Sequence, residues 1–244
     1  MKINRWLYLL ILIPVILFSG FSIWAYTPLG PMPEAIDAMQ SNASVQVSDD
    51  RWLVFEPTSN TVETGLIFYP GGRVDPRSYS PLAQRLASEG YLVVIVPMPF
   101  NLAVFGSGGA SNVIEAFPDI ENWVIAGHSL GGSMSARYVI QHPQNIQGLI
   151  LLASYPAASD DLSGSTISSL SIFGTLDGLT SMQDINNSRP ILPADTSWVP
   201  VEGGNHAQFG WYGDQPGDNE ADISREEQQN LILEAMIGFL EQVN

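Results

Sequence analysis

Apolar residues occur in short consecutive runs that alternate with segments of helical periodicity. Runs apolar on consecutive positions predict β-strands that are buried on both faces. There are seven: Trp52–Phe55, Leu66–Tyr69, Tyr91–Val96, Trp123–Ala126, Leu149–Ala153, Leu170–Phe173 and Trp198–Val201. The helical patterns are Tyr79–Ser88, Ser111–Phe117, Leu130–Gln141 and Ser224–Val243. This alternation predicts an α/β fold with a mostly parallel central sheet flanked by helices.

The chain begins with a much longer apolar stretch. Trp6–Tyr26 holds 21 residues without a charge. As a helix rising about 1.5 Å per residue, it is long enough to cross a hydrocarbon core of about 30 Å. Aromatic residues at both ends suit the membrane interface. We therefore predict a transmembrane anchor over residues 1–26, and the alternative is a cleavable signal peptide.

Charges near the N-terminus predict the orientation of that anchor. Lys2 and Arg5 are the only charged residues before Glu34, and basic residues stay on the cytoplasmic side. The rest of the chain is then expected outside the cytoplasm, as a single-pass membrane protein or as a secreted one after cleavage. Residues 27–42 carry three prolines and predict a linker to a domain over residues 43–244.

Composition excludes several classes of protein and chemistry. The chain is 45% hydrophobic and only 14% charged, which excludes a disordered protein. Its formal net charge of −16 argues against nucleic acid as a partner. No cysteine is present, so disulfides, thiolate metal sites and a cysteine nucleophile are excluded. Three scattered histidines make a poor metal site, and we expect no metal and no organic cofactor.

The strongest local signal is Gly127-His128-Ser129-Leu130-Gly131, followed by another glycine. It directly follows a predicted strand and opens a predicted helix. A serine on such a sharp turn is exposed as a nucleophile, and the small neighbours let the strand and the helix pack closely. The helix N-terminus also directs backbone N–H groups and a positive dipole end toward a developing oxyanion.

A serine nucleophile needs a base, and the chain has three histidines. His128 lies beside Ser129 on the same turn, where its side chain should point elsewhere. His142 lies at the end of the following helix, where a solvated position is expected. His206 lies in a glycine-rich loop after a late strand, from which it can reach a serine on the central strand. Elimination and position therefore both favour His206 as the base.

The base needs a carboxylate to orient it. Asp177 follows the predicted strand Leu170–Phe173 in Gly174-Thr-Leu-Asp177-Gly178, again at a carboxyl end. Other carboxylates in polar, solvated segments remain open as alternatives: Asp160, Asp161, Asp184 and Asp195. The order of serine, aspartate and histidine along the chain is the one found in α/β-hydrolases.

The sequence resembles α/β-hydrolases, in particular the small, cap-less group with some likeness to dienelactone hydrolases. The resemblance covers most of residues 50–243. The matching residues are Phe68-Tyr-Pro-Gly-Gly-Arg-Val-Asp75, Pro97-Met-Pro99, Gly127-His-Ser-Leu-Gly-Gly132, Ala153-Ser-Tyr-Pro156, Gly174-Thr-Leu-Asp177 and Gly203-Gly-Asn-His206. It implies a triad of nucleophile, acid and base: Ser129, Asp177 and His206.

The same resemblance implies an oxyanion hole. One donor is the Leu130 N–H, and the other is the N–H of Gly72 or, alternatively, of Arg73. Pro70 stands where histidine is common in that loop, so the second assignment is less specific. Dienelactone hydrolases proper use a cysteine, which this chain lacks, so their substrate cannot be carried over.

The sequence indicates the substrate less clearly than it indicates the catalytic residues. Only Ser154–Ser169 separate two predicted strands at the place where many α/β-hydrolases insert a cap. Aromatic candidates for a substrate pocket are Phe100, Phe105, Phe209, Trp211 and Tyr212. The expected function is hydrolysis of small or short-acyl carboxylic esters. Alternatives are another acyl transfer on the same triad (peptidase, thioesterase or acyltransferase) and a non-catalytic binding module; the oligomeric state stays open.

Overall fold

A computed structural model describes residues 5–58 and 62–243 of the protein. An eight-stranded β-sheet forms its centre. The strands are β1 (Val45–Ser48), β2 (Leu53–Pro57), β3 (Thr64–Tyr69), β4 (Leu92–Ile95), β5 (Asn122–His128), β6 (Gly148–Leu152), β7 (Ser168–Gly174) and β8 (Ser197–Val201). The helices are α1 (Arg5–Ala25), α2 (Pro33–Asp37), α3 (Ser80–Ser88), α4 (Gly109–Ala116), α5 (Leu130–Gln141), α6 (Met182–Ser188) and α7 (Arg225–Val243).

The strand order is β1-β2-β4-β3-β5-β6-β7-β8. Strands β3 to β8 pair in parallel, whereas β1 with β2 and β2 with β4 pair antiparallel. The predicted mostly parallel sheet is therefore confirmed. Tyr69 pairs with Gly127, and His128 pairs with Leu152. This register brings the carboxyl ends of β3, β5 and β6 to one edge, where α/β folds build their sites.

Both faces of the sheet are covered. On β3, Leu66 and Phe68 pack into one apolar cluster with side chains of α3 and α7. Ile67 and Tyr69 point into a second cluster with side chains of α4 and α5. This double burial explains the continuous apolar runs of the sequence, because neither face of the central strands needs polar residues.

Strand β1 and helix α6 were not apparent from the sequence. Strand β1 lies at the edge of the sheet and buries Val45 while leaving Gln46 and Ser48 exposed, so it has no continuous apolar run. Helix α6 is short, and Ser181 and Asp184 form a capping box at its N-terminus. The capping box satisfies backbone donors that a short helix leaves free, and this stabilises α6 despite its weak apolar pattern.

The N-terminal apolar stretch forms helix α1, and residues 1–4 of the predicted anchor lie outside the described residues. Over the described part of the chain, no helix combines the length and the hydropathy needed to cross a bilayer. The prediction of a membrane-spanning helix is therefore not supported.

Residues 27–42, predicted as a linker, lie against the domain. Leu29 forms a parallel bridge with Val74, and the Met32 N–H donates to the Trp211 carbonyl at 2.8 Å. Helix α2 buries Ala35 completely. This segment thus connects the end of α1 to the loop that follows β3.

Candidate active site

Ser129 lies on the turn between β5 and α5. Its φ of 52° and ψ of −122° are sparsely populated by residues other than glycine. A Cβ at Gly127 would contact the backbone of Gly131, and a Cβ at Gly131 would contact the carbonyl oxygens of Tyr69 and Pro70. Glycine is therefore required at both positions, and the predicted nucleophile turn is present with Ser129 half-buried at its apex.

His206 and Asp177 form a buried pair. The Nδ1 atom of His206 lies 2.8 Å from Asp177 Oδ2, and the two side chains are 1% and 0% exposed. The other carboxylate oxygen accepts the N–H groups of Leu179 and Thr180 at 2.8 and 2.6 Å. With Nδ1–H donating to the carboxylate, Nε2 is the acceptor nitrogen. This Nε2 is buried, and no described residue forms a hydrogen bond with it; that holds for Ser129 as well.

The other candidate carboxylates have structural partners or lie in solvent. Asp160 accepts from Arg137 Nε at 3.0 Å, and Asp184 accepts from the Ser181 hydroxyl at 2.6 Å in the α6 capping box. The remaining two, which are exposed, are Asp161 and Asp195. Only Asp177, among these five, contacts a histidine.

The His128 side chain packs in the interior, as predicted, and does not belong to the aspartate–histidine pair. Its ring stacks on Phe209, with the centroids 5.7 Å apart, and is completely buried. The Tyr79 hydroxyl accepts from the Gly71 N–H at 3.0 Å and forms a second hydrogen bond with His128 Nδ1 at 2.8 Å. Burial, followed by the nearby His206, lowers the pKa of His128 well below its usual value, so this imidazole is neutral.

Leu130 and Gly72, the two residues proposed for the oxyanion hole, lie next to each other in space. Leu130 is the first residue of α5, so its N–H has no acceptor within the helix. A Cβ at Gly72 would lie 3.1 Å from the Leu130 side chain. The Arg73 N–H donates to the Asn101 carbonyl at 2.7 Å and the Gly71 N–H to a tyrosine hydroxyl. No described residue accepts the Gly72 N–H. This geometry favours Gly72 over Arg73 as the second donor.

A cavity of about 290 Å³ opens beside Ser129. Its lining residues are Ser129, Leu130, Ser133, Ala153, Ser154, Tyr155, Leu179 and Thr180. Thr180 lines the cavity and also donates its N–H to Asp177, so the serine and the aspartate–histidine pair share this region. None of the five aromatic residues suggested by the sequence lines it. Phe100 and Phe105, for example, pack against Phe21 of α1.

Sequence reasoning missed the lining residues Tyr155 and Leu179. They are 37% and 39% exposed and form the rim of the cavity. Tyr155 comes shortly after β6, and Leu179 comes two residues after Asp177. The sequence signal that could have identified them is their position shortly after the carboxyl ends of two strands. Over residues 5–58 and 62–243, no cluster of three or more acidic or histidine side chains is arranged to hold a metal ion.

Comparison with known families agrees with the fold and the motifs. The model of the alpha/beta hydrolase family matches residues 65–230, which is more than half of the chain. The protein therefore belongs to the alpha/beta hydrolase family.

Individual relatives are more distant. The chain is 35% identical over 96 residues to the pimeloyl-[acyl-carrier protein] methyl ester esterase of Shewanella sp. (strain MR-7), covering 37% of this chain and 35% of that enzyme. It spans little more than a third of the length of the curated relatives it matches.

Solved structures show the same fold. A predicted CIB-like hydrolase from Thermoplasma acidophilum superposes with a TM-score of 0.61 at 15% identity, covering 81% of this chain and 98% of that one. Thermogutta terrifontis esterase 2, phosphoramylated by tabun, gives a TM-score of 0.60 at 14% identity, covering 84% and 97%. At such low identity these structures are similar in fold alone.

Proposed function

We propose that the protein is a serine hydrolase that cleaves carboxylic esters of small or short-acyl substrates. The observation that carries this proposal is the buried His206–Asp177 pair with its unpaired Nε2. The His206 ring centroid lies 4.5 Å from that of His128, which directly precedes Ser129 on its strained turn. The family's esterases are consistent with it, including the methyl ester esterase relative.

In the proposed reaction, Ser129 Oγ attacks the ester carbonyl while His206 Nε2 takes its proton. Asp177 stabilises the imidazolium that forms. The N–H groups of Leu130 and Gly72 donate to the oxyanion of the tetrahedral intermediate. Collapse releases the alcohol, which takes the proton from His206, and leaves an acyl-enzyme. Water, activated by the same histidine, then releases the carboxylic acid and restores Ser129.

The size of the cavity supports a small substrate. Its volume of about 290 Å³ lies at the lower end of the range for small-molecule sites. Residues 153–167, which connect β6 to β7, contain no helix, so this connection adds no cap over Ser129. A short acyl group fits such a cavity, whereas a long chain would extend into solvent.

Hydrolysis of p-nitrophenyl acetate by the full chain and by Ser129→Ala tests the proposal. We expect Ser129→Ala to lower kcat by on the order of 10⁴- to 10⁶-fold. Ser133→Ala is the matched control, because Ser133 lines the same cavity one turn further along α5. Its kcat should stay within about tenfold of wild type, since most losses of a non-reacting hydroxyl are small. Equal activity of Ser129→Ala and wild type would contradict the proposal.

A further inference from the structure

The Arg73 side chain binds the end of helix α1. Its Nε donates to the Trp24 carbonyl at 2.9 Å, and one terminal nitrogen donates to the Thr27 carbonyl at 2.8 Å. The guanidinium also lies 4.4 Å from the centroid of the Trp24 ring. The guanidinium thus satisfies one carbonyl in the last turn of α1, which has no helical partner, and a second carbonyl just beyond the helix.

The Arg73 backbone is fixed as well. Its N–H donates to the Asn101 carbonyl at 2.7 Å, and its own carbonyl accepts the Leu29 N–H at 2.8 Å. The Asn101 side chain donates in turn to the Ala25 carbonyl at 3.0 Å. These bonds link three segments: the end of α1, the loop after β3 and the loop after β4.

This network involves two residues in the left-handed region of backbone conformations, which is costly for Arg73. Arg73 has a φ of 57° and Asn101 a φ of 52°. Asparagine adopts such values readily, whereas an arginine keeps them only where its surroundings enforce them. Apart from the bond between Arg73 and Asn101, the contacts come from residues 24–29, which the sequence alone suggests are outside the domain.

We propose that Arg73 is a positioning residue, which couples the end of α1 to the oxyanion loop. The Val74 N–H donates to the Gly71 carbonyl at 3.2 Å and closes a turn in which Arg73 is the third residue. The Gly71 carbonyl and the Gly72 N–H belong to one peptide plane, so the Arg73 conformation that closes this turn also sets the direction of the Gly72 N–H. The inference rests on the proposed function, in which that N–H stabilises the oxyanion. Arg73 is not among the residues that line the cavity beside Ser129, and its N–H and two of its side-chain donors have protein acceptors, so we assign it no contact with the substrate.

Arg73→Lys in the full chain tests the inference. Lysine keeps the charge but loses the planar fork that bridges two carbonyls and stacks on Trp24. We expect kcat for p-nitrophenyl acetate to fall by about 10- to 100-fold, since a small displacement of a catalytic group has effects of this size. KM should change by less than about threefold, because the ground-state cavity is untouched.

Binding of an aryl boronic acid, which forms a tetrahedral adduct with a serine hydroxyl, supplies the second readout. Its affinity should fall by a factor similar to the loss in kcat/KM, because both depend on the oxyanion donors. A merely structural role for Arg73 would lower the melting temperature without moving this affinity. Asn101→Ala removes the bond to the Ala25 carbonyl and should lower kcat and boronate affinity in the same direction. It replaces Arg73→Lys in the test if that variant fails to fold.

The matched control is Arg189→Lys. The Arg189 guanidinium lies 4.1 Å from the centroid of the Trp198 ring on the edge strand β8, so the same chemical change is made away from the loop after β3. We expect wild-type kcat for it. If Arg73→Lys and Asn101→Ala fold and keep wild-type kcat and boronate affinity, the inference is overturned, whereas the proposed function is not affected. A wild-type protein that neither hydrolyses the ester nor binds the boronate would overturn the proposed function and the inference with it.

Discussion

Asparagine at position 177 changes one contact of the carboxylate and keeps its shape. Its side-chain oxygen can still accept the N–H groups of Leu179 and Thr180, which lie 2.8 and 2.6 Å from Asp177 Oδ1. Its amide NH₂ then replaces Oδ2, which lies 2.8 Å from His206 Nδ1. Two donors would meet there, so His206 must adopt the tautomer with its proton on Nε2.

That tautomer cannot accept the proton of Ser129. The loss expected for a triad carboxylate is up to about 10⁴-fold in kcat. This corresponds to about 5.4 kcal/mol of transition-state stabilisation. The free energy of unfolding should fall by only about 1–3 kcal/mol, because charge-assisted hydrogen bonds become neutral ones. Catalysis is therefore affected far more than folding.

Initial rates on p-nitrophenyl acetate and urea unfolding followed by circular dichroism measure the two effects. Asp160→Asn is the matched control, because it removes a carboxylate that pairs with Arg137 and has no contact with a histidine. It should keep wild-type kcat. If Asp177→Asn kept kcat within about tenfold of wild type, the assignment of Asp177 as the acid would be refuted.

Three further predictions concern the cavity, His128 and the turn. For p-nitrophenyl esters, kcat/KM should peak between about C2 and C6, since each CH₂ adds about 0.8 kcal/mol only where it is covered; a rise through C16 would contradict this. In the native protein, His128 packs against Tyr79, Tyr212 and His206 and stays neutral. In the unfolded chain it binds a proton below about pH 6.5, so the free energy of unfolding decreases as the pH is lowered through this value. Between pH 7.5 and 5.5, His128→Asn should lose about 1.4 kcal/mol less of its free energy of unfolding than wild type, as measured by urea unfolding, and an equal loss in both proteins would exclude the effect. Gly131→Ala should lower the free energy of unfolding by at least about 1–3 kcal/mol, because its Cβ meets two carbonyls, and an unchanged unfolding midpoint would contradict that contact.

Much of the fold could be predicted because its central strands are buried on both faces. Strand β5 has this pattern, and the following helix was predicted with the bounds found in the structure. Strand β1 was missed, because an edge strand with one buried residue has no apolar run. The extracytoplasmic location of the domain stays a prediction.

The candidate triad was accessible because glycine spacing identifies the turn around Ser129 and only three histidines compete for the base. The contacts that support the oxyanion loop could not be predicted from the sequence. Arg73 bonds to carbonyls 49 and 46 residues earlier, and a carbonyl acceptor requires no particular side chain. No local motif therefore marks the contact between residues 24–29 and this loop.

Covalent labelling with a fluorophosphonate tests most directly the central claim that Ser129 is an activated nucleophile. The full chain is incubated with the probe, digested and analysed by mass spectrometry, with heat-denatured protein and Ser129→Ala as controls. We predict one adduct, on the peptide that contains Ser129, in the native wild-type protein and in neither control. Absence of an adduct, or an adduct on another serine that persists in Ser129→Ala, would contradict the account.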